Sequence, residues 1–138
     1  MFIGQYSHTI DDKSRLTIPA KFRDKIGSDA VMTIGFDECI SIYTSLEWEK
    51  LQEKLLTLNT NSSDARKHLR MFAGSASDCL CDSHGRVIIP QNLLNHANIN
   101  KDVVLVGTIN HIEIWSKENW QKYEREALET FDEVAEKL

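Results

Sequence analysis

An internal repeat is the sequence feature that most constrains this chain. Residues 11–19 match residues 82–90 at a constant offset of 71, with Asp, Arg, an apolar residue, Ile and Pro in the same order. After a one-residue insertion the offset becomes 72 and the match continues, with these pairs: Val31 and Val103, Ile34 and Val106, Gly35 and Gly107, Ile40 and Ile112, Ile42 and Ile114, Tyr43 and Trp115, Trp48 and Trp120. Matches in one order, with one gap, indicate that a small unit occurs twice.

Each copy predicts the same series of elements. A short strand leads into a polar turn opened by Asp, whose side chain can bond to backbone amides further on. Gly85 suits a left-handed turn position, and Ser14 occupies the same place less comfortably. Pro19 and Pro90 fit the first position of a short helix. The strands predicted around these features are 6–10, 15–18, 30–35 and 39–43, then 77–81, 86–89, 103–107 and 111–115.

An amphipathic helix closes each copy. Thr44 with Glu47 fits a capping box at the start of the first helix. Apolar residues then follow at helical spacing in both copies: Trp48, Leu51, Leu55 and Leu58, and Trp120, Tyr123, Ala127, Phe131, Val134 and Leu138. We expect both stripes to be docked, with the two tryptophans in a core or a subunit contact.

The elements together predict an α+β fold with two tandem units that share a core, because each unit alone has too few apolar positions to be stable. The first unit is assigned to residues 1–58 and the second, with the C-terminal helix, to residues 75–138. Residues 59–74 form a polar linker and a bridging helix between them.

The two turns carry the candidate site. Arg15 and Arg86 follow the Asp residues of their turns, Asp11 and Asp82, at the same spacing. An arginine can bond bidentately to guanine O6 and N7, and a two-stranded ribbon is narrow enough to enter the major groove. Lys13 and His84, at the tips of the turns, can meet phosphates. The alternative is that each Asp–Arg pair is a local ion pair that stabilises its turn, and both roles can coexist.

Lys21, Arg23 and Lys25 lie on the short helix next to the first turn and form a second set of DNA-contacting candidates, with an ordinary solvated helix face as the alternative. A net charge of −5 argues against a nucleic-acid partner at first sight. The deficit lies wholly in residues 71–138, where six basic residues face eleven acidic ones, because residues 1–70 hold ten of each. Binding depends on the local patch, so the total does not exclude DNA.

Other chemistries have little support. Cys79 and Cys81 lie at alternating strand positions near His84, but no ligand set repeats, so we expect no metal, and Cys39, Cys79 and Cys81 should pack as small apolar side chains. No P-loop, nucleophile elbow or dinucleotide fingerprint is present, and we therefore expect no enzyme, no cofactor and no small-molecule substrate. Without an apolar span or leader-like start, we expect no membrane partner and a cytoplasmic protein.

Several runs closely resemble the MraZ family over essentially the whole chain. They are Met1-Phe2-x-Gly4, the run from His8 to Arg23 with Asp11-x-Lys13-x-Arg15, the stretch Gly74-x-Ala76-Ser77-Asp78-Cys79, and Asp82-x-x-Gly85-Arg86. The family has Gly where this chain has Ser14. The resemblance implies two AbrB-like swapped-hairpin barrel units that assemble into a homo-oligomeric ring.

The same resemblance implies a bacterial, nucleoid-associated transcription regulator, usually a repressor. Its partner would be double-stranded DNA, bound at short G-containing direct repeats upstream of its own division and cell-wall gene cluster. Arg15 and Arg86 are then the DNA-contacting residues, supported by Asp11, Asp82 and Gly85. Two alternatives remain, an AbrB-like antitoxin that holds a toxin through its C-terminal segment, and a ring that serves as a scaffold for other proteins.

Overall fold

The computed structural model describes all residues from Met1 to Leu138 as eight strands and six helices. The order strand, strand, helix, strand, strand, helix occurs twice, with one helix between the two series and one after them. The elements are β1 Gln5–Thr9, β2 Arg15–Thr17, α1 Ala20–Ile26, β3 Ala30–Ile34, β4 Ile40–Tyr43, α2 Ser45–Leu56, α3 Ser63–Gly74, β5 Ser77–Cys79, β6 Arg86–Ile88, α4 Gln91–His96, β7 Asp102–Gly107, β8 Ile112–Ser116, α5 Lys117–Glu129 and α6 Phe131–Glu136. Pro19 and Pro90 cap α1 and α4, one residue before the first helical position predicted for them.

The strands pair between the two copies as well as within them. A six-stranded antiparallel sheet has the order β1-β7-β8-β4-β3-β5, so each outer strand lies on the central hairpin of the other copy. The strands that flank each turn therefore do not pair with each other: β2 pairs with β6 in a separate two-stranded ribbon. The hydrogen-bonded strands form this open sheet and ribbon and close no barrel.

The strand registers define a pseudo-twofold axis between the copies. In the ribbon, Leu16 lies opposite Val87, and these residues are equivalent in the repeat. In the sheet, Ile40 lies opposite Ile114 and Ile42 lies opposite Ile112, again pairing equivalent positions in exchanged order. The axis therefore passes through the centre of the ribbon and through the β4–β8 pair, and it places both turns on one ribbon.

One stretch of the repeat alignment is wrong by one residue. Met32 lies opposite Ser77, and Leu105 lies opposite Tyr6, which makes Met32 and Leu105 equivalent at an offset of 73. The sequence pairs Val31 with Val103, Ile34 with Val106 and Gly35 with Gly107 are thus incorrect. Burial agrees with the new offset, since Met32 and Leu105 both face the main core. The second copy has one extra residue before β7, and its loop between β7 and β8 is one residue shorter than the loop between β3 and β4. Because the two changes cancel, an alignment with one gap does not reveal them.

The main core contains residues from both copies, as expected. Twenty-one buried residues form it, and the inner faces of β2 and β6 contribute the fully buried Leu16 and Val87. Phe22 of α1 packs edge-on against Phe2 and Tyr6, and these contacts fix the helix that follows β2 on this core. The ribbon is thus anchored by one face and free on the other.

The C-terminal helix differs from the prediction of a docked stripe. It breaks at Thr130 into α5 and α6, neither of which has a buried residue. Phe131 is 64% exposed and Leu138 is fully exposed. Trp48 and Trp120 are half-buried instead of lying in the core, although Trp120 packs against the buried Trp115 with ring centroids 5.2 Å apart. Only the start of the stripe is therefore covered within one chain.

Only one of the two hydrogen bonds of the predicted capping box forms at the start of α2. The Thr44 hydroxyl accepts from the backbone N–H of Glu47, while the Glu47 carboxylate contacts Lys50. No helix in the structure combines the length and the hydrophobicity required to cross a bilayer.

Candidate nucleic-acid interface

The first turn is organised around the carboxylate of Asp11. Its Oδ1 atom accepts from the backbone N–H groups of Lys13 and Arg15, both at 2.9 Å, and its Oδ2 atom accepts from Arg15 Nε at 2.6 Å. The backbone N–H of Ser14 donates to the carbonyl of Asp11 and closes the turn. One aspartate thus sets both the path of the turn and the direction of the arginine side chain.

The second turn repeats this arrangement atom for atom. Asp82 Oδ1 accepts from the backbone N–H groups of His84 and Arg86 at 2.8 and 2.9 Å, and Oδ2 accepts from Arg86 Nε at 2.9 Å. The backbone N–H of Gly85 donates to the carbonyl of Asp82. These donors favour the ionised carboxylate, and the backbone N–H of Arg86 has the largest effect, so the pKa of Asp82 falls to about 2. The pKa of Asp11 is also lowered, chiefly by the backbone N–H of Arg15.

Ser14 adopts the same backbone conformation as Gly85. Their φ angles are +60° and +74°, both in the left-handed region. A serine in this region carries strain that glycine avoids. The hydrogen bonds around Asp11 nevertheless match those around Asp82, so the substitution leaves the turn geometry and the placement of Arg15 unchanged.

The turns are tied to each other across the ribbon. The carbonyl of Ser14 accepts from the N–H of Ile89, and the carbonyl of Gly85 accepts from the N–H of Ile18. Arg15 lies opposite Ile88, and Thr17 lies opposite Arg86. Since paired residues share a face, these four side chains form one outward face while Leu16 and Val87 fill the inner one.

We call Arg15, Thr17, Arg86 and Ile88 the outer ribbon face. Sequence reasoning placed the two arginines near a surface but missed Thr17 and Ile88. The signal was present, because period-2 alternation from Arg15 puts Thr17 on the same side and Leu16 on the other.

The geometry of each arginine is compatible with both roles that the sequence left open. Each forms an ion pair with the aspartate of its turn, and each side chain stays 28% exposed. Only Nε of each guanidinium is bonded within the chain, so the two terminal nitrogens remain available to a ligand. A guanidinium whose stem is held and whose outer edge is free is suited to bidentate contact with a base or phosphate.

Arg23 lies beneath the second turn rather than on an open helix face. Its Nη2 donates to the carbonyl of Ile18 at 2.8 Å, and its guanidinium packs so closely on Gly85 that a Cβ there would collide with it. Its Nε is buried without a partner. The repeat puts Leu94 at the equivalent place in the second copy. Sequence spacing could not show this contact, because it joins α1 of one copy to the turn of the other.

The remaining candidates are exposed. Lys13 and His84 are at the tips of the turns, and Lys21 is on the solvent side of α1. Lys25, which is also on α1, donates from Nζ to the carbonyl of Met1 at 3.1 Å.

The cysteines do not share one environment. Cys39 and Cys79 are buried, and burial raises the pKa of the Cys79 thiol to about 12. Cys81 lies beyond the end of β5 and is exposed, so the expectation that it packs as an apolar side chain on the same strand face as Cys79 is wrong. The structure brings together no group of three residues that could hold a metal ion.

Comparison with known proteins adds a family to this geometry. The family model described as "MraZ protein, putative antitoxin-like" matches twice, over residues 1–71 and 71–138. The chain belongs to the MraZ family. The resemblance seen in its motifs is therefore confirmed over its whole length.

Relatives that carry the family name agree in length with this chain. A protein of Caldanaerobacter subterraneus subsp. tengcongensis is 46% identical over 138 residues, covering 100% of this chain and 96% of its own. Proteins of Clostridium tetani (45% identity, 100% and 96% covered) and Limosilactobacillus fermentum (44% identity, 98% and 94% covered) are similar. All three are named "Transcriptional regulator MraZ".

Proposed function

We propose that this chain is a non-enzymatic transcription regulator that binds double-stranded DNA sequence-specifically through the β2–β6 ribbon. The observation that carries the proposal is the outer ribbon face, on which Arg15 and Arg86 are each fixed by an aspartate and present free guanidinium nitrogens. A ribbon of two strands fits the width of a major groove. The two arginines contact guanines, and the exposed Lys13, Lys21 and His84 contact phosphates beside them.

The uneven charge supports this orientation. Arg15 and Arg86 lie on the ribbon and Lys13 lies in the turn before it, whereas the acidic excess lies largely on α5 and α6, with Glu124, Glu126, Glu129, Asp132, Glu133 and Glu136. Repulsion of DNA from the acidic helices and attraction to the ribbon would turn the same face toward the duplex.

The resemblance to the family implies further properties of this chain. The two copies are AbrB-like units with boundaries at 1–58 and 75–138, joined by residues 59–74, that descend from one duplicated unit. Copies of the chain assemble into a homo-oligomeric ring in the cytoplasm, on the nucleoid. The ring represses its own division and cell-wall gene cluster by binding short direct repeats upstream of it.

The test is a gel-shift titration with a duplex from upstream of the protein's own gene, in the presence of random competitor DNA. We expect retardation at moderate salt that a specific competitor removes and a random one does not. Retardation that both competitors remove equally would reduce the activity to nonspecific binding, and no retardation would favour the scaffold function.

A second candidate function is that of an antitoxin, and an exposed apolar face at the C-terminal end supports it. The apolar face of α5 and α6, with Phe131 and Val134, is uncovered in the single chain. An antitoxin holds its toxin through such a C-terminal segment, and a ring needs such a face between subunits. Sedimentation of the chain with Phe131→Asp separates the two: loss of the oligomer assigns the face to subunit contacts, and an unchanged oligomer leaves it for another protein.

A further inference from the structure

The two copies do not present the same residues on the outer ribbon face. The pseudo-twofold axis makes Thr17 and Ile88 equivalent, just as it makes Arg15 and Arg86 equivalent. Thr17 is half-buried and polar, whereas Ile88 is 66% exposed and has no donor or acceptor. A single exposed isoleucine is ordinary on a protein surface. This one lies beside both arginines, directly opposite Arg15 and two residues along the strand from Arg86, where a ligand held by their free nitrogens would cover it.

We infer that Ile88 is a specificity-determining residue that contacts the C5 methyl group of a thymine in the major groove and so gives the ribbon a direction on DNA. The inference rests on the proposed function.

The chemistry of base edges selects thymine. Guanine, adenine and cytosine present ring or exocyclic donors and acceptors in the major groove, and covering these with an isoleucine would leave them without partners. Thymine presents one methyl group beside its O4 atom. Burial of that methyl against Ile88 removes apolar surface of both groups from water, and no polar group on the protein side loses a bond.

The register sets where the thymine must lie. Ile88 is directly opposite Arg15, and the Cβ atoms of such a pair are about 5 Å apart. It is two residues along β6 from Arg86, or about 6.6 Å. Base pairs rise by about 3.4 Å each. The thymine therefore lies within about two base pairs of the guanines that the arginines contact.

Direction follows from the same asymmetry. A ribbon with identical copies would bind a half-site equally well in either orientation, because its twofold axis would exchange the two arginines. With Ile88 on one side and Thr17 on the other, only one orientation places the thymine methyl against the isoleucine. A repeat read in one orientation can recur head to tail, as direct repeats do.

The experiment combines a change in the DNA with a change in the protein. Each thymine within the upstream duplex that the protein retards is replaced singly by uracil, which removes only the methyl group. We expect one position near the guanines to weaken binding of the unaltered protein about fourfold, the worth of one buried methyl. The Ile88→Ala protein should bind the thymine duplex at least that much more weakly, with no further loss when this thymine becomes uracil. Ile88→Val should keep part of the discrimination.

The matched control is Leu56→Ala, which removes an apolar side chain of α2 that is 79% exposed and should leave the thymine preference intact. If no uracil position matters to the unaltered protein, or if Ile88→Ala keeps the full preference for thymine, the inference is overturned while sequence-specific binding stands. If the unaltered protein does not distinguish the upstream duplex from random DNA, both the proposed function and the inference fail. The uracil series needs no variant, so a folding defect of Ile88→Ala would not prevent a decision.

Discussion

Arg15 and Arg86 occupy diagonal positions on the same face of the β2–β6 ribbon, since Arg15 pairs with Ile88 and Arg86 pairs with Thr17. Diagonal neighbours in an antiparallel pair are about 7–8 Å apart, close to the rise of two base pairs. The ribbon therefore brings together two arginines from turns that are far apart in the sequence, at a separation of about two base-pair steps.

Removal of either arginine should weaken specific DNA binding and leave the fold intact. Each bidentate contact with a guanine is worth about 1–3 kcal/mol of discrimination. Arg15→Ala and Arg86→Ala should each lose affinity for the specific duplex by that amount in a gel-shift titration. The control is Arg125→Ala, an exposed arginine of α5. A far-ultraviolet circular dichroism spectrum typical of an unfolded chain for either ribbon variant would show that its ion pair is structural instead.

A side chain at position 85 should destabilise the second turn for two separable reasons. Gly85→Ala places a Cβ at a positive φ and against the guanidinium of Arg23. We expect a loss of more than about 1 kcal/mol in the free energy of unfolding by urea. The double variant with Arg23→Ala should lose less than the sum of the single losses, because the collision is then absent. Ser14→Gly should instead leave the free energy of unfolding unchanged or raise it. If the losses of stability from Arg23→Ala and Gly85→Ala were additive, the two residues would not be in contact.

The carboxyl of Asp82 should titrate near pH 2 in the folded protein, below its ordinary value of 3.8. Its folded pKa is the lower one, so the turn's contribution to stability is present above about pH 3.8 and is lost as the pH falls through about 2. Carboxyl chemical shifts followed by NMR measure the midpoint. Arg86→Ala should keep most of the depression, because the largest cause is the backbone N–H of Arg86, which the variant retains. A midpoint at the ordinary value would mean that the turn is open in solution.

The tryptophans of the second copy should differ in their effect on stability. Trp115 is 3% exposed, and Trp115→Ala should lower the free energy of unfolding by about 3–5 kcal/mol. Trp120 is half-buried and bonds through Nε1 to Gln5 at 3.2 Å, so Trp120→Ala should cost about half as much. Equal losses in urea unfolding would indicate that another copy of the chain covers Trp120.

Affinity should rise steeply with the number of operator repeats if a ring displays several ribbons. Once one ribbon is bound, the next contact is intramolecular and can gain about 10²–10⁴ in avidity. Duplexes with one, two and three repeats should therefore bind progressively tighter, and insertion of about half a helical turn between repeats should remove the gain. Affinity should also fall with salt, because phosphate contacts release counterions. Equal affinity across the series would contradict the multivalent ring while leaving single-site binding possible.

The sequence by itself determined the local elements of this protein. Asp11 and Asp82 open turns because a carboxylate can accept from the backbone two and four residues later, and this depends only on local spacing. Pro19 and Pro90 immediately precede helices, and alternation of apolar residues puts Leu16 and Val87 inside. The two arginines were found for the same reason, since the repeat places both at the same short distance from an aspartate.

Only the tertiary structure decided how those elements combine. The pairing of β2 with β6, the contact of Arg23 with Gly85 and the offset of 73 between β3 and β7 all join residues distant in the chain. Such contacts depend on which partner completes a sheet edge and which register buries one face, and two similar copies offer each strand two similar partners. The open stripe on α6 shows the same limit, because a helical period identifies an apolar face without identifying what covers it.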